Sequence, residues 1–395
     1  MSSRELAERL TSLHRKHYGR DPQVISYAPG RVEVLGNHTD YNLGTVLSAA
    51  IDKGHCFAIS SNEGKGLRLL AGDLEEIASF NLEQISPMEK APWARYIKGV
   101  FYYLKERGLE IKDFDCSFLG SIPVGSGLSS SAALEVSAAF AAQEKCGIWL
   151  DPKEIAALCR DAESIFAGCN CGLLDQFSSI FGKKHSLIHS DFKDLSVRSV
   201  AIPEDIRFLI VTPEITHSLA DSPYNARRES CESAVEVLGT LLSYPVKSLR
   251  DVSPKDFEKF KKELPEELAK RAAHIIGEIY RVSVGVDALQ RGDIDEFGQL
   301  MYLSHESSRD LFENSTPELD LVVEAARESG ALGARLSGGG WGGSLIVLAR
   351  AEEETTLLKT ITKNCEKHNL AVKTRVAVPS DGARVLYNSN RENHE

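Results

Sequence analysis

The chain has 395 residues, enough for two domains or one large one at about 150 residues per domain. A hydrophobic fraction of 42% with 26% charged residues is ordinary for a globular protein with a sizeable core. Acidic residues number 57 against 46 basic ones, and the net charge of -11 argues against general nucleic-acid binding, though not against a local cationic pocket for phosphates.

The N-terminal residues are charged and amphipathic, without the apolar run of a signal peptide, and they predict a short helix ending near Gly19. Nowhere do about 18 apolar residues run together, so no membrane span is expected. A strand is expected over 24–27, then a dense polar motif, then buried strands over 46–51, 55–60, 67–70 and 77–80. Tyr96, Val100, Tyr103 and Leu104 recur at helical spacing within 93–106. A strand over 114–119 leads through a glycine- and serine-rich loop into an alanine-rich helix over 129–146, stopped by Gly147. Asp151 and Pro152 mark the start of the next helix, which runs to about Phe166 and stops at Gly168.

Strands follow over 187–189, 197–202 and 208–212, then a polar segment over 213–223 and a mostly helical stretch over 224–326. The tail is mixed: strands over 334–337, 344–349 and 372–378, and a helix over 352–368. This order predicts an α+β protein with a boundary near 190–205, dividing the chain into 1–200 and 201–395. Eight scattered cysteines without CxxC spacing fit reduced thiols in a cytoplasmic protein. Cys169 and Cys171 form a CxC pair with no second cysteine or histidine pair nearby, which reads as packing before it reads as a metal site.

Four segments carry chemistry. In Gly125-Ser-Gly-Leu-Ser-Ser-Ser131, glycines at a helix start let backbone N–H groups approach a phosphate, and the hydroxyls suit phosphate oxygens or Mg²⁺. The alternative is a plain turn with serine caps. The loop lacks the Gly-Lys-Ser/Thr of a Walker A motif, and Ser130 stands where a dinucleotide fingerprint needs its last glycine. The second glycine cluster, Ser337-Gly-Gly-Gly-Trp-Gly-Gly-Ser344, precedes a strand and not a helix, so it reads as a turn lining a ligand or a structural hairpin. Gly30-Arg-Val-Glu-Val-Leu-Gly-Asn-His-Thr-Asp-Tyr-Asn42 is denser in polar groups than folding requires and suits a polyol. In Gly168-Cys-Asn-Cys-Gly-Leu-Leu-Asp-Gln-Phe177, Asp175 sits among apolar residues and could serve as a base or cap a helix. Glu163, at the end of the preceding helix, either faces the same pocket or lies on a solvated face.

Together these segments resemble the galactokinases within the GHMP small-molecule kinase superfamily. The likeness rests on the order of the Arg31–Asp40 region, the Gly125–Ser131 loop, Asp175 and Ser337–Gly343, and on the His38-Thr-Asp-Tyr-Asn42 signature. Residues 172–177, 222–228 and 304–313 extend it to about 25–385. The resemblance implies two domains, an N-terminal ribosomal-protein-S5-domain-2-like fold and a C-terminal ferredoxin-like domain with extra helices, with the active site between them. It implies transfer of the ATP γ-phosphoryl to the C1 hydroxyl of a sugar.

Asp175 and Arg31 match the catalytic positions, and Ser131 and Glu163 the Mg²⁺-associated ones. Gly125, Ser126, Gly127, Leu128, Ser129, Ser130 and Ser131 match the ATP loop, with Trp93 and Tyr96 near the adenine or in core packing. Asn37, His38, Asp40, Gly172 and Tyr224 match sugar contacts, and the carboxylate of Asp40 suits the cis O3/O4 pair of galactose. A monomer in the cytoplasm is expected, with a dimer as the alternative and neither nucleic acid nor membrane as partner.

The chain departs from the pattern in two places. Asn170 replaces a proline. Glu33 and Asn37 exchange the residue types of the family's Asn-x-x-x-Glu, whose glutamate contacts the C6 hydroxyl. Either Glu33 supplies that charge and galactose remains the substrate, or the C6 pocket takes galacturonate, arabinose or N-acetylgalactosamine. A catalytically silent sugar sensor is the reading from another class, and the intact serine run with Arg31 and Asp175 argues against it. The signature argues against the mevalonate and homoserine kinase branches.

Overall fold

The computed structural model describes residues 1–82, 91–123, 125–214 and 224–389. Val124 of the glycine-rich loop, and Ser222 and Pro223 of the 222–228 motif, lie outside them.

Helix α1 (Ser3–Tyr18) opens on a capping box between Ser2 and Glu5 and closes at Gly19, which takes φ 73°. Strands β1 (Val24–Leu35) and β2 (Thr45–Ser61) then form a long antiparallel pair. The sequence pattern predicts only 24–27 as strand in the first and splits the second in two. All twelve residues of β1 are buried, so the polar residues that seem to end the strand are interior groups satisfied by distant partners. β3 (Leu67–Ala71), β4 (Glu76–Phe80) and, after α2 (Ala94–Glu106), β5 (Phe114–Gly120) extend the sheet on the side of β2.

Helix α3 (Ser130–Cys146) is buried nearly all round, because its small Ala132, Ala133, Ala138 and Ala139 let it lie close against β1 and β2. α4 (Pro152–Ala162), capped by Asp151, runs into one π-helical turn, Glu163–Ala167. α5 (Leu174–Phe181) carries Asp175 in its first turn. β6 (Ser186–Asp191) and β7 (Ser196–Ala201) complete this half.

Sheet membership changes with β8 (Ile206–Pro213). Helices α6 (Tyr224–Leu241), α7 (Pro254–Phe260), α8 (Glu266–Arg291), α9 (Ile294–Ser307) and α10 (Pro317–Glu328) follow, then β9 (Gly333–Ser337), β10 (Ser344–Arg350), α11 (Glu354–Lys367) and β11 (Val372–Ala377). β8, α10, β9, β10, α11 and β11 make a β-α-β-β-α-β unit with strand order β11–β8–β10–β9, the expected ferredoxin-like arrangement with added helices. The final strand, β12 (Arg384–Asn388), returns to pair with β1 in the first sheet. Nothing in its sequence marks that return, because its partner lies at the other end of the chain. Val32 and Val34 share one core with Phe208, Ile210, Val282 and Ile346, so both halves pack on the strand that carries Arg31.

Candidate active site

Arg31 and Glu33 stand two apart on β1 and leave the same face, while Val32 and Val34 enter the core behind. The β1–β2 register shifts between Pro29 and Arg31 and again between Glu33 and Leu35. Such irregularities re-aim side chains, and here they bracket the two charged residues. Arg31 Nε donates to Asp175 Oδ1 at 2.8 Å, Nη2 lies 2.7 Å from the same oxygen, and Nη1 donates to the Gly127 carbonyl at 2.6 Å. One side chain thus ties together β1, α5 and the glycine-rich loop.

In that loop Gly125, Gly127 and Ser129 take left-handed backbone, at φ 72°, 69° and 56°. Glycine adopts it freely; Ser129 must be held there by its surroundings. The plain serine-capped turn is not what forms. Ser129 is the N-cap of α3, yet its side chain does not cap the helix, which leaves the N–H groups of the first turn available to an anion. Each hydroxyl of the serine run instead goes to a different distant partner. Ser129 Oγ donates to Asp175 Oδ2 at 2.6 Å, Ser130 Oγ pairs with His55 Nε2 at 2.8 Å, and Ser131 Oγ donates to Glu163 Oε1 at 2.8 Å. Ser126 donates to the Pro123 carbonyl at 2.7 Å, and the Leu128 carbonyl accepts from Arg31 N at 3.1 Å. Together with Trp93, Tyr96 and His55, the described loop residues line a cavity of about 740 Å³. Trp93 both walls this cavity and packs on the core, its ring centroid 5.6 Å from that of Phe118.

Glu163 is buried, and all its hydrogen-bond partners are neutral: Ser131, Gln176 Nε2 at 3.1 Å and Cys171 Sγ at 3.4 Å. Burial raises its carboxyl above the ordinary range, and Asp175 adds to the shift. Behind it, Gln176 Nε2 also donates to Glu135 Oε2 at 3.3 Å. Burial pushes Glu135 well up, and neither its Oε1 nor Gln176 Oε1 has a hydrogen-bond partner among the described residues. Protonation of Glu135 would give that pocket a donor.

A second cavity, of about 210 Å³, is lined by Glu33, Asn37, His38, Asp40, Glu163, Gly172 and Tyr224, among others. It shares Arg31, Asp175, Gly338 and Gly339 with the larger one. Asn37 is fully buried and engaged on both atoms. Its Nδ2 donates to Glu33 Oε1 at 2.8 Å and the Gly338 carbonyl at 2.9 Å, and its Oδ1 accepts from Asn314 Nδ2 at 2.9 Å and Ser308 Oγ at 3.3 Å. Glu33 Oε1 also meets Arg335 Nη2 at 3.3 Å. Burial raises the Glu33 carboxyl, opposed by Arg335 and Arg31.

His38 lines the cavity, but both ring nitrogens have protein partners. Nε2 donates to the Gly339 carbonyl at 2.9 Å, which leaves Nδ1 to accept from the Tyr41 hydroxyl at 2.9 Å. Its contribution is therefore to hold the wall. Tyr224 packs its ring 5.1 Å from that of His38. Gly172 is where a side chain has no room: a Cβ there would stand 1.9 Å from Asp40 Oδ2. Asp40 itself is buried. Burial raises its carboxyl to about 7, with Glu33 and Asp175 adding to the effect.

The second glycine cluster backs both cavities. Gly338 takes φ 87°, and a Cβ on it would lie 3.3 Å from Arg31 Nη2. Ser337 Oγ accepts from Glu33 N at 2.9 Å, and Ser344 Oγ donates to the Ser126 carbonyl at 2.6 Å. These contacts describe a turn that walls both cavities, not a free-standing hairpin.

Known proteins match this chain in sequence and in fold. The model of the galactokinase galactose-binding signature matches residues 12–61, that of the GHMP kinases N terminal domain 95–183, and that of the GHMP kinases C terminal 286–367. A galactokinase of Glaesserella parasuis is 38% identical over 380 residues, covering 94% of this chain and 97% of the relative. The chain belongs to the galactokinase family. Membership makes it an ATP-dependent sugar kinase, a phosphotransferase acting on an alcohol group. A galactokinase of Roseiflexus is 39% identical over 354 residues, covering 89% of each chain. The crystal structure of Lactococcus lactis galactokinase complexed with galactose superposes with a TM-score of 0.90 at 30% identity, covering 95% of this chain and 99% of that one. The mevalonate kinase of Methanococcus jannaschii, at 21% identity and TM-score 0.62, shares the fold. Among the described residues, no helix is long and apolar enough to cross a membrane.

Sequence reasoning missed Glu135, Gln176, His55, Arg335, Asn314 and Glu278. Arg335 is fully buried beside Glu33, and Glu278 accepts from the backbone N–H groups of Gly36 and Asn37 at 2.9 and 2.8 Å. The one available signal was a charged residue inside an apolar run, as at Arg335 in Ala334-Arg-Leu336.

Proposed function

We propose that this chain transfers the γ-phosphoryl of ATP to the C1 hydroxyl of galactose, giving galactose 1-phosphate and ADP. The observation that carries this reading is that a nucleotide-sized cavity and a smaller polar one meet at the Arg31–Asp175 pair. Asp175, between the two, orients the C1 hydroxyl and accepts its proton; Arg31 stabilises charge developing on the phosphoryl group and attacking oxygen. The loop 125–131 and the start of α3 hold the phosphates, with Trp93 and Tyr96 toward the base.

Ser131 and Glu163 offer hard oxygen donors, and a buried carboxyl with only neutral partners fits a cation such as Mg²⁺. Mg²⁺ bound there would neutralise phosphate charge. Residues 1–200 and 201–395 are taken as the two domains enclosing the site, except that β12 closes the sheet of the first. A monomer is taken as the working unit, and eight free cysteines suit the reducing cytoplasm.

Galactose is favoured over a sugar altered at C6 because the exchanged Glu33 and Asn37 touch each other at 2.8 Å. The carboxylate therefore stays at the same wall of the cavity despite moving along the chain. Among the described residues no hydrogen bond occupies Glu33 Oε2, which leaves it for a hydroxyl. Steady-state kinetics with ATP over galactose, galacturonate, arabinose and N-acetylgalactosamine tests this. Galactose should give the highest kcat/KM; galacturonate outperforming it would sink the assignment, and sugar binding without ADP release would make the chain a sensor.

Asp40 gives this reading a pH signature. Its carboxyl, raised to about 7, is ionised above that pH, where it accepts from two sugar hydroxyls, and protonated below it, where one oxygen becomes a donor. The KM for galactose should therefore rise as pH falls, on the order of tenfold between about pH 8 and about pH 6. Asp40→Asn should give a high KM with a flat profile over the same range. A wild-type KM independent of pH would refute this role.

A further inference from the structure

We propose that Cys169, Cys171 and Glu163 form a binding site for a thiophilic divalent cation such as Zn²⁺ at the edge of the sugar cavity. The CxC pair alone provides too few ligands. The fold adds the third, from the turn that ends the preceding helix.

Gly168 takes φ 80° and reverses the chain, and Cys169 N then bonds the Glu163 carbonyl at 3.4 Å. Cys171 N bonds the Cys169 carbonyl at 2.8 Å, a three-residue turn about Asn170 that brings both thiols to one side. One ligand atom from each of the three residues lies within 4.8 Å of the others, and Cys171 Sγ stands 3.4 Å from Glu163 Oε2. Tetrahedral Zn²⁺, with Zn–S near ~2.3 Å and Zn–O near ~2.1 Å, sets neighbouring ligand atoms roughly 3.5 to 3.8 Å apart. Small side-chain rotations close the difference. Proline at position 170 would lack one N–H and restrict the turn; this chain has Asn170, whose side chain bonds Ser164 Oγ at 2.8 Å.

All three residues line the same cavity as Asp175, so the fourth coordination position opens toward it and is left to water. Metal binding converts both thiols to thiolates and releases their protons to the buffer. The other cysteines offer no comparable set among the described residues: Cys56, Cys116, Cys159, Cys231 and Cys365 are buried, and Cys146 is a lone half-buried thiol.

The site goes beyond the kinase reading, and its effect on catalysis rests on that reading through Glu163. A cation held by the two thiols would engage the carboxylate proposed for Mg²⁺, so Zn²⁺ should inhibit the kinase. The test uses the full chain, reduced with a non-chelating phosphine. Titration with Cd²⁺, without Mg²⁺, should raise a thiolate-to-metal ultraviolet absorption band that saturates at one ion per chain and is displaced by Zn²⁺. Cys169→Ser should lower the affinity about tenfold or more, and Cys146→Ser should leave it unchanged. Absence of the band, or an equal band in Cys169→Ser, would overturn the proposal. In a separate assay, Zn²⁺ inhibition is measured against each variant's own uninhibited rate. Inhibition lost in Cys169→Ser supports the site; a Cys169-dependent band without inhibition keeps the site and overturns the Mg²⁺ role of Glu163.

Discussion

Replacing Asp175 with asparagine should lower kcat about 10³-fold while leaving the KM for ATP within about threefold. The change is nearly isosteric. An amide oxygen still accepts from Arg31 and an amide N–H₂ can still meet Ser129, so the loop, held also by Arg31 on the Gly127 carbonyl, keeps its shape. What is lost is the group proposed to accept the C1 proton, together with the negative charge that pairs with Arg31. Steady-state kinetics, with nucleotide binding followed by tryptophan fluorescence, separates the two. Activity near the wild-type level would refute the assigned role. Asp175→Ala differs in kind: it leaves Arg31, only 6% exposed in its side chain, without its counter-ion, and a loss of folding stability should accompany the loss of activity.

The second large effect is expected far from the chemistry. Glu278 on α8 is fully buried and accepts from Gly36 N, Asn37 N and Ser304 Oγ at 2.9, 2.8 and 2.9 Å, while pairing with Arg281. Burial alone would raise its carboxyl, but Arg281, with His274 and Arg335, holds it well below the usual carboxylate range. A depressed pKa contributes stability above the unfolded value and loses it as pH falls toward the folded one. The contribution is therefore constant through neutral pH and disappears only in acid.

Glu278→Ala would strand two backbone N–H groups and one guanidinium in the interior, a loss of about 3–5 kcal/mol. Thermal unfolding should show a fall of several degrees in Tm. The KM for galactose should rise, because Glu278 fixes the backbone beside Asn37 and His38. Unchanged Tm and KM would show that the 36–37 backbone is held by other means. Glu278→Gln keeps the shape and one acceptor, and should fall between the two.

Much of this molecule is legible in its sequence for local reasons. Glycines at 125, 127, 338 and 340 meet positive φ, and a strand, a glycine-rich loop and an alanine-rich helix in succession form as the sequence predicts. Asp151-Pro152 and Gly19 set helix ends by chemistry that acts within a few residues. The family resemblance pointed to Arg31, Asp40, Gly172 and Asp175, and the structure brings all of them to the two cavities.

Partnerships were a different matter. Three adjacent serines look interchangeable along the chain, yet Ser129, Ser130 and Ser131 end on Asp175, His55 and Glu163, because Ser129 sits in left-handed backbone before the helix while Ser130 and Ser131, in its first turn, point about 100° apart. Asn37 reads as an open sugar ligand and is instead enclosed by Glu33, Gly338, Ser308 and Asn314. The last strand, β12, gives no local sign that it closes against β1.

The sequence by itself thus determined most of the elements, the glycine-rich turns and the chemical types that line the two cavities, since backbone preference and side-chain chemistry are properties of neighbouring residues. Only the tertiary structure decided that Glu33 and Asn37 share one wall, that Arg335 and Glu278 hold it from the second half, and that Glu163 meets a pair of thiols. Those arrangements follow from strand register and helix packing between distant segments, which no local pattern encodes.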